Sequence, residues 1–154
     1  MRYQLKPISK ENWRTAAQLR VAPHQENLIE DNRDSLLEAA YDTDLRWTPI
    51  GLYVNHQMVG FSMIGAENIV ERSIWLDRFM IDETHQHQGY GHALFRVVLN
   101  YLKDHYKQVQ TIYLSVHQEN EKAFPFYESF GFENTHETDP KNGEIIMRCT
   151  IIRD

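Results

Sequence analysis

The chain has 154 residues, 42% hydrophobic and 25% charged, the size and composition of one ordinary globular domain, and it reads as a single domain over residues 1–154. No apolar run approaches the ~20 residues that a membrane span needs. The excess of 22 acidic over 16 basic residues, a net charge of −6, argues against a nucleic-acid surface, which needs a basic patch; it is compatible with a cationic substrate, or with solubility alone.

In chain order, Met1–Lys6 lacks the apolar segment of a secretory signal; a cytoplasmic setting is expected because the fold, with one cysteine, does not depend on oxidation. Tyr3–Ile8 alternates and predicts a strand. Ser9, Asn12 and Trp13 open a helix carrying Ala16, Ala17 and Leu19, which Pro23 should end or bend. A second helix is predicted over Asp31–Ala40, with Leu36, Leu37 and Ala40 on one face. Ile50–Val54 and Met58–Ile64 form a hairpin about Asn55-His56-Gln57, and Ser73–Ile81 is a further strand. Gly89–His105 is the clearest helix, with Ala93, Val97 and Tyr101 in one row and Leu94, Val98 and Leu102 in the next. Val109–Val116 is a strand showing Ile112 and Leu114 on one face and Tyr113 and Ser115 on the other.

Glu121–Phe130 reads as helical and stops at Gly131. Pro125 belongs in a first turn, so the helix proper should begin near Ala123. Asp139–Gly143 is a turn and Glu144–Ile152 the last strand. Cys149, the sole cysteine, cannot form an internal disulfide and reads as a packed thiol. The resulting order, β-α-α-β-β-β-α-β-α-β-β, is an α/β (α+β) domain with a mixed, mainly antiparallel sheet.

The chemistry is signalled by Trp75-Leu76-Asp77-Arg78-Phe79-Met80-Ile81, a short loop, and Gln86-His87-Gln88-Gly89-Tyr90-Gly91 ahead of the long helix. A strand, a Gly-bearing loop and a helix N-terminus outline a phosphate site: glycine permits tight turning and close approach, and the first helical amides lack internal partners. The Rossmann G-x-G-x-x-G and the P-loop Gly-Lys-Ser/Thr are both absent. A Gly-Tyr-Gly turn made for packing alone is the bland alternative. His85, His87 and His92 do not have zinc spacing, so no metal is expected.

The remaining pattern, Gln-x-x-Gly-x-Gly, resembles the acetyl-coenzyme A loop of the GNAT superfamily of N-acetyltransferases. Asn120, Ala123, Phe126, Tyr127 and Phe130-Gly131-Phe132 resemble that superfamily's Asn-x-x-Ala-x-x-x-Tyr-x-x-x-Gly-Phe segment, and Gly51-Leu52-Tyr53 with Met58-Val59-Gly60-Phe61 its central hairpin. His87 departs from the pattern, where many members carry another glycine. Trp-Leu-Asp-Arg-Phe-Met-Ile-Asp and Ile112-Tyr113-Leu114-Ser115 look most like the bacterial spermine/spermidine N-acetyltransferases.

This resemblance implies a seven-stranded mixed sheet flanked by four helices, and acetyl transfer from acetyl-coenzyme A to a small polyamine by direct attack. It assigns the backbone of Phe79, Met80 and Ile81 to the pantetheine arm and that of Gln86, His87, Gln88, Gly89, Tyr90, Gly91 and His92 to the pyrophosphate. Asn120 goes to the coenzyme arm, and Tyr127 becomes the acid that protonates the departing thiolate. Asp77 is the candidate base, directly or through water; pairing with Arg78 is its structural alternative. Of the seven acids between Glu26 and Asp44, Glu26 and Glu30 are the substrate-side candidates, the others fitting a solvated face. Another small amine, a peptide N-terminus, or a non-catalytic module that binds coenzyme A or polyamines stay open, as does a homodimer.

Overall fold

The computed structural model describes residues 1–153. Seven strands, β1 (Tyr3–Pro7), β2 (Thr48–Val54), β3 (Gln57–Asn68), β4 (Ser73–Ile81), β5 (Thr111–Val116), β6 (Glu133–Thr138) and β7 (Ile145–Thr150), form one sheet in the order β1-β2-β3-β4-β5-β7-β6. Every neighbouring pair is antiparallel except β4 and β5. Four α-helices accompany it: α1 (Trp13–Gln18), α2 (Asn32–Tyr41), α3 (Tyr90–His105) and α4 (Ala123–Glu128).

Strand alternation sorts side chains into two cores. Leu52, Val54, Val59, Ile74 and Leu76 pack against Leu94, Phe95, Val98 and Leu102 of α3, with Phe126 and Tyr127 of α4 on the same face. Tyr53, Met58, Phe61 and Met63 face the other way, against Ala16 and Leu19. The predicted row Leu94, Val98 and Leu102 is the buried one. Phe95, fully buried, joins it and is ringed by Phe79, Phe126, Tyr127, Phe130 and Phe132.

The β2–β3 hairpin turns through Asn55 (φ 48°) and His56 (φ 72°). Two successive left-handed residues match the right-handed strand twist. Pro125 lies in the first turn of α4, as its chemistry requires, and Gly131 (φ 95°) follows the helix in the left-handed region.

Two expectations are corrected. Pro23 does not end α1, which closes at Gln18; it opens a 3-10 turn over Pro23–Gln25. The inward face of α2 is not Leu36, Leu37 and Ala40: Asn32 and Ser35 are fully buried, Leu36 and Ala39 half-buried, and Leu37 and Ala40 exposed. The face is polar because its side chains serve other elements, Asn32 donating to the Ala16 carbonyl (2.9 Å) and Ser35 accepting from Arg78 (2.9 Å). Trp13, the first residue of α1, is 41% exposed, beneath the Arg14 guanidinium.

A bulge in β4 shapes everything that follows. Phe61 pairs with Met80 and Met63 with Asp77, so Ser62 alone faces both Arg78 and Phe79. The extra residue switches the strand's parity. Ile74 and Leu76 face α3 before the bulge, and Phe79 and Ile81 face it afterwards. Arg78 takes up the irregularity with φ 60°, and the Ser62 hydroxyl donates to the Asp77 carbonyl inside it (2.8 Å).

Candidate active site

β4 and β5 pair only from Ser73–Trp75 to Thr111–Tyr113. Beyond that they diverge, so the edge of β4 from Leu76 to Ile81 has no strand partner on that side. β3 holds the opposite edge: a Cβ on Gly60 would come within 2.5 Å of the Met80 carbonyl oxygen, so only glycine allows the approach.

The gap opens into a cleft of about 720 Å³ lined by residues from both sides of the sheet, a volume suited to a small-molecule site. Its walls include Asp77, Arg78 and Phe79 of β4, Leu114–Val116 of β5, Asn120, Tyr127 of α4, the Leu28–Glu30 segment, Trp47, and Asp139–Glu144 between β6 and β7. Seven carboxylates line it (Glu30, Glu38, Asp42, Asp44, Asp77, Asp139 and Glu144) against two full cations, Arg78 and Lys141. Arg78 is already committed, to Glu30 (2.9 Å) and Glu38 (3.1 Å). The cleft therefore presents negative charge to whatever enters.

Asp77 does not pair with Arg78; its carboxylate accepts the Ser115 N–H (3.4 Å) and approaches the Ser115 hydroxyl (3.3 Å). Burial pushes its carboxyl up to about 7, against the Ser115 amide and Arg78, with Glu144 and Glu30 reinforcing the rise. Burial likewise raises Glu144, against a hydrogen bond from the Ser115 hydroxyl (2.8 Å). Tyr127 packs 5.2 Å from the ring of Phe95. Burial, with the nearby Asp77 charge, holds its phenol well above the usual range and therefore protonated. A carboxylate poised near neutrality and a protonated phenol in one cleft can take and give a proton.

The loop after β4 leads into α3. The Gln86 side chain donates to the Ile81 carbonyl and to Gln25 (2.9 Å each), tying the loop to the end of the strand and to the Pro23–Gln25 turn. His87 (φ 64°) and Gly89 (φ 82°) both adopt the left-handed region, with Gln88 between them. Ala93 makes the first intrahelical bond, to Gly89 (3.2 Å). The amides of Tyr90, Gly91 and His92 precede it at a helix N-terminus, where an anion is favoured. Gly91 needs no unusual backbone, and an added Cβ would meet Ile81 only at an ordinary 3.6 Å. It contributes open space rather than the tight turn expected of it.

The remaining sequence-derived residues fall as follows. Met80 and Ile81 have buried side chains, so only their backbone can face a ligand. Asn120 stands where the chain enters α4, donating to the His117 carbonyl (2.9 Å) and accepting from Ala123 (3.1 Å). His92 packs 4.5 Å from the Phe130 ring and Tyr90 edge-on to Tyr3. Glu30 lines the cleft, but Glu26 does not; it lies exposed beside a smaller recess of about 230 Å³ with Arg20 and Met80.

Sequence reasoning did not single out Arg78, Ser115, Glu38 or Glu144 as site residues. Ser115 had a signal in its place on the non-core face of β5, Arg78 was read only as a pairing partner for Asp77, and Glu38 only as one of the acids of a solvated face; Glu144 reaches Ser115 because β7 pairs antiparallel with β5, Val116 opposite Ile145.

The sequence profile of the Acetyltransferase (GNAT) family matches residues 10–132. The chain belongs to this family. It is an acetyl-coenzyme A-dependent acyltransferase. Among GNAT relatives, a Bacillus subtilis (strain 168) protein named spermine/spermidine N(1)-acetyltransferase is 34% identical over 96% of this chain and 97% of its own length. The spermidine N-acetyltransferase from Vibrio cholerae, solved with CoA and spermine, superposes with a TM-score of 0.70 at 18% identity, over 96% of this chain and 95% of that one. AAC(6')-Ib in complex with ribostamycin and coenzyme A superposes with a TM-score of 0.79 at 15% identity, over 96% and 93%. Both solved structures share the GNAT fold seen here, a seven-stranded mixed sheet with four helices.

Proposed function

We propose that this GNAT enzyme acetylates a primary amine of spermine or spermidine. The observation that carries the reading is the cleft itself, with two cations, one of them already paired, and seven carboxylates, among them Asp77, whose carboxyl burial poises near pH 7. A polycation entering it meets attraction along its length. The full-length relationship to a spermine/spermidine N(1)-acetyltransferase supports the same substrate class.

The residues present fit acetyl-coenzyme A. The α3 N-terminus after the left-handed Gly89 suits the pyrophosphate, and the unpaired edge of β4 through Phe79, Met80 and Ile81 suits the pantetheine arm, whose amides need strand-like partners. Asn120 borders the same opening. When bound, the cosubstrate supplies a thioester carbonyl for the amine to attack.

An alkyl ammonium has a pKa near 10.4 and arrives charged. Asp77 takes its proton, directly or through a water, freeing the nitrogen lone pair. A backbone N–H at the bulge stabilises the developing oxyanion. Tyr127 gives its proton to the departing thiolate. Glu30 serves the substrate through its charge, and Glu26, outside the cleft, acts only by long-range attraction.

The test is thiol release from acetyl-coenzyme A with spermine, spermidine, putrescine and butylamine at two ionic strengths. KM should rise as the charges on the amine decrease, and added salt should weaken the most highly charged amine most. Equal, salt-independent KM values across the series would remove charge as the basis of selection.

A further inference from the structure

The proton that Asp77 takes has to leave, and Asp77 is poorly placed to release it. It lies deep in the cleft, faced by Arg78 on its own strand, Glu30 from the segment before α2, Ser115 on β5, Glu144 beyond the β6–β7 turn and Tyr127 on α4. Bound amine would stand between it and solvent. One side chain bridges outward. The Ser115 Oγ lies 3.3 Å from Asp77 Oδ1 and 2.8 Å from Glu144 Oε1. The longer contact exceeds an ordinary O–H···O bond and the shorter one does not, so the resting hydroxyl proton is committed to Glu144. That leaves a lone pair of Oγ free for Asp77 once Asp77 carries a proton.

We propose that Ser115 and Glu144 form a proton exit path for Asp77, with Glu144 as the outer acceptor. The inference rests on the reading of Asp77 as the base. In the step, the Asp77 O–H breaks and its proton goes to Ser115 Oγ; the original Ser115 O–H breaks and its proton goes to Glu144 Oε1. Asp77 ends as carboxylate, Ser115 as hydroxyl and Glu144 as carboxylic acid, so charge and protons balance with no further reactant.

Glu144 suits the role by position. Its amide donates to Asn142 Oδ1 (2.9 Å) and its carbonyl accepts from Asp139 (2.8 Å), which fixes it to the turn. It is half-buried beside the cleft mouth, where Asp139, Lys141 and His117 also lie. Burial and the Glu30 charge keep its carboxyl raised, against the Ser115 hydroxyl, Arg78 and His117, so it accepts a proton more readily than an exposed glutamate.

The experiment is steady-state acetylation of spermidine by Glu144→Gln, Ser115→Ala, Ser115→Thr and Asp77→Asn, in dilute non-nucleophilic buffer and with added imidazole. Melting curves confirm that each variant is folded. E144Q and S115A should lower kcat about 10-fold, with KM for acetyl-coenzyme A unchanged. Imidazole, as an alternative proton acceptor, should restore much of the loss in both and add nothing to wild type. S115T, which keeps the hydroxyl, should behave as wild type, and the double variant S115A/E144Q should be no slower than the slower single one. Wild-type kcat in E144Q would overturn the path. So would a loss that imidazole does not restore and that shows as raised spermidine KM, since Glu144 would then be a substrate contact. Wild-type behaviour of D77N would instead overturn the Asp77 reading, and the path with it.

Discussion

Replacing Asp77 with asparagine should stabilise the protein in alkaline solution while crippling it as a catalyst. Burial lifts the Asp77 carboxyl from 3.8 to about 7, so the folded state holds a proton that the unfolded chain has released. A group raised in this way contributes stability below its unfolded value, lost as pH climbs through the folded one. The window runs from about pH 4 to about pH 7. Each pH unit is worth about 1.36 kcal/mol, so ionised Asp77 destabilises the native state above pH 7 by up to about 4 kcal/mol.

Asparagine is nearly isosteric, its Oδ1 can still accept the Ser115 N–H, and it never ionises. Wild type and D77N should therefore differ little at pH 4.5. At pH 8.5 D77N should melt higher by several degrees, at ~2–4 °C per kcal/mol for a domain of this size. The acid limb of kcat/KM near pH 7 should vanish in D77N together with most of the activity. A melting difference that is the same at both pH values would refute the reasoning, because Asp77 would then titrate as an ordinary carboxylate.

Tyr127→Phe should lower kcat roughly 100-fold and leave the acid limb near pH 7 in place, measured from the full pH profile; an unaltered kcat would remove the phenol from thiolate protonation. Arg78→Ala strands Glu30 and Glu38, which it now holds at 2.9 and 3.1 Å, and also removes a charge that lowers Asp77. The acid limb should move upward and stability should fall by about 1–3 kcal/mol; a limb that stays put would mean that Arg78 does not reach Asp77 electrostatically. The glycines at 60 and 91 should separate cleanly in thermal melts and acetyl-coenzyme A kinetics. Gly60→Ala drives a Cβ to 2.5 Å from the Met80 carbonyl and should cost about 1–3 kcal/mol. Gly91→Ala meets only Ile81 at 3.6 Å; it should keep or gain stability, since alanine is favoured in a helix by ~1 kcal/mol, while raising KM for acetyl-coenzyme A. Equal stability losses would contradict this division.

What the sequence made legible were local patterns. The rows on α3, the alternation of β5, the Asn55-His56 turn and the proline-limited start of α4 each follow from a few neighbouring residues, and each reappears in the structure. The loop from Gln86 to Gly91 was legible for the same reason. Long-range pairing was not. The bulge at Arg78 depends on Ser62 facing two residues of β4, which no periodicity in β4 alone reveals. The inward face of α2 misled because its buried positions are polar, Asn32 and Ser35 serving Ala16 and Arg78. The bridge from Asp77 through Ser115 to Glu144 joins three segments that meet only when β7 inserts between β5 and β6.

The most direct test of the whole account is a competition. The enzyme is given acetyl-coenzyme A with an equimolar mixture of spermine, spermidine, a ribostamycin-type aminoglycoside and a short peptide with a free N-terminus, and the products are identified by mass spectrometry. The account predicts singly acetylated spermine and spermidine as the dominant products, lost in Asp77→Asn. Acetylated aminoglycoside or peptide, with the polyamines untouched, would contradict it, leaving the GNAT fold and acetyl transfer standing and the acidic cleft without its assigned substrate.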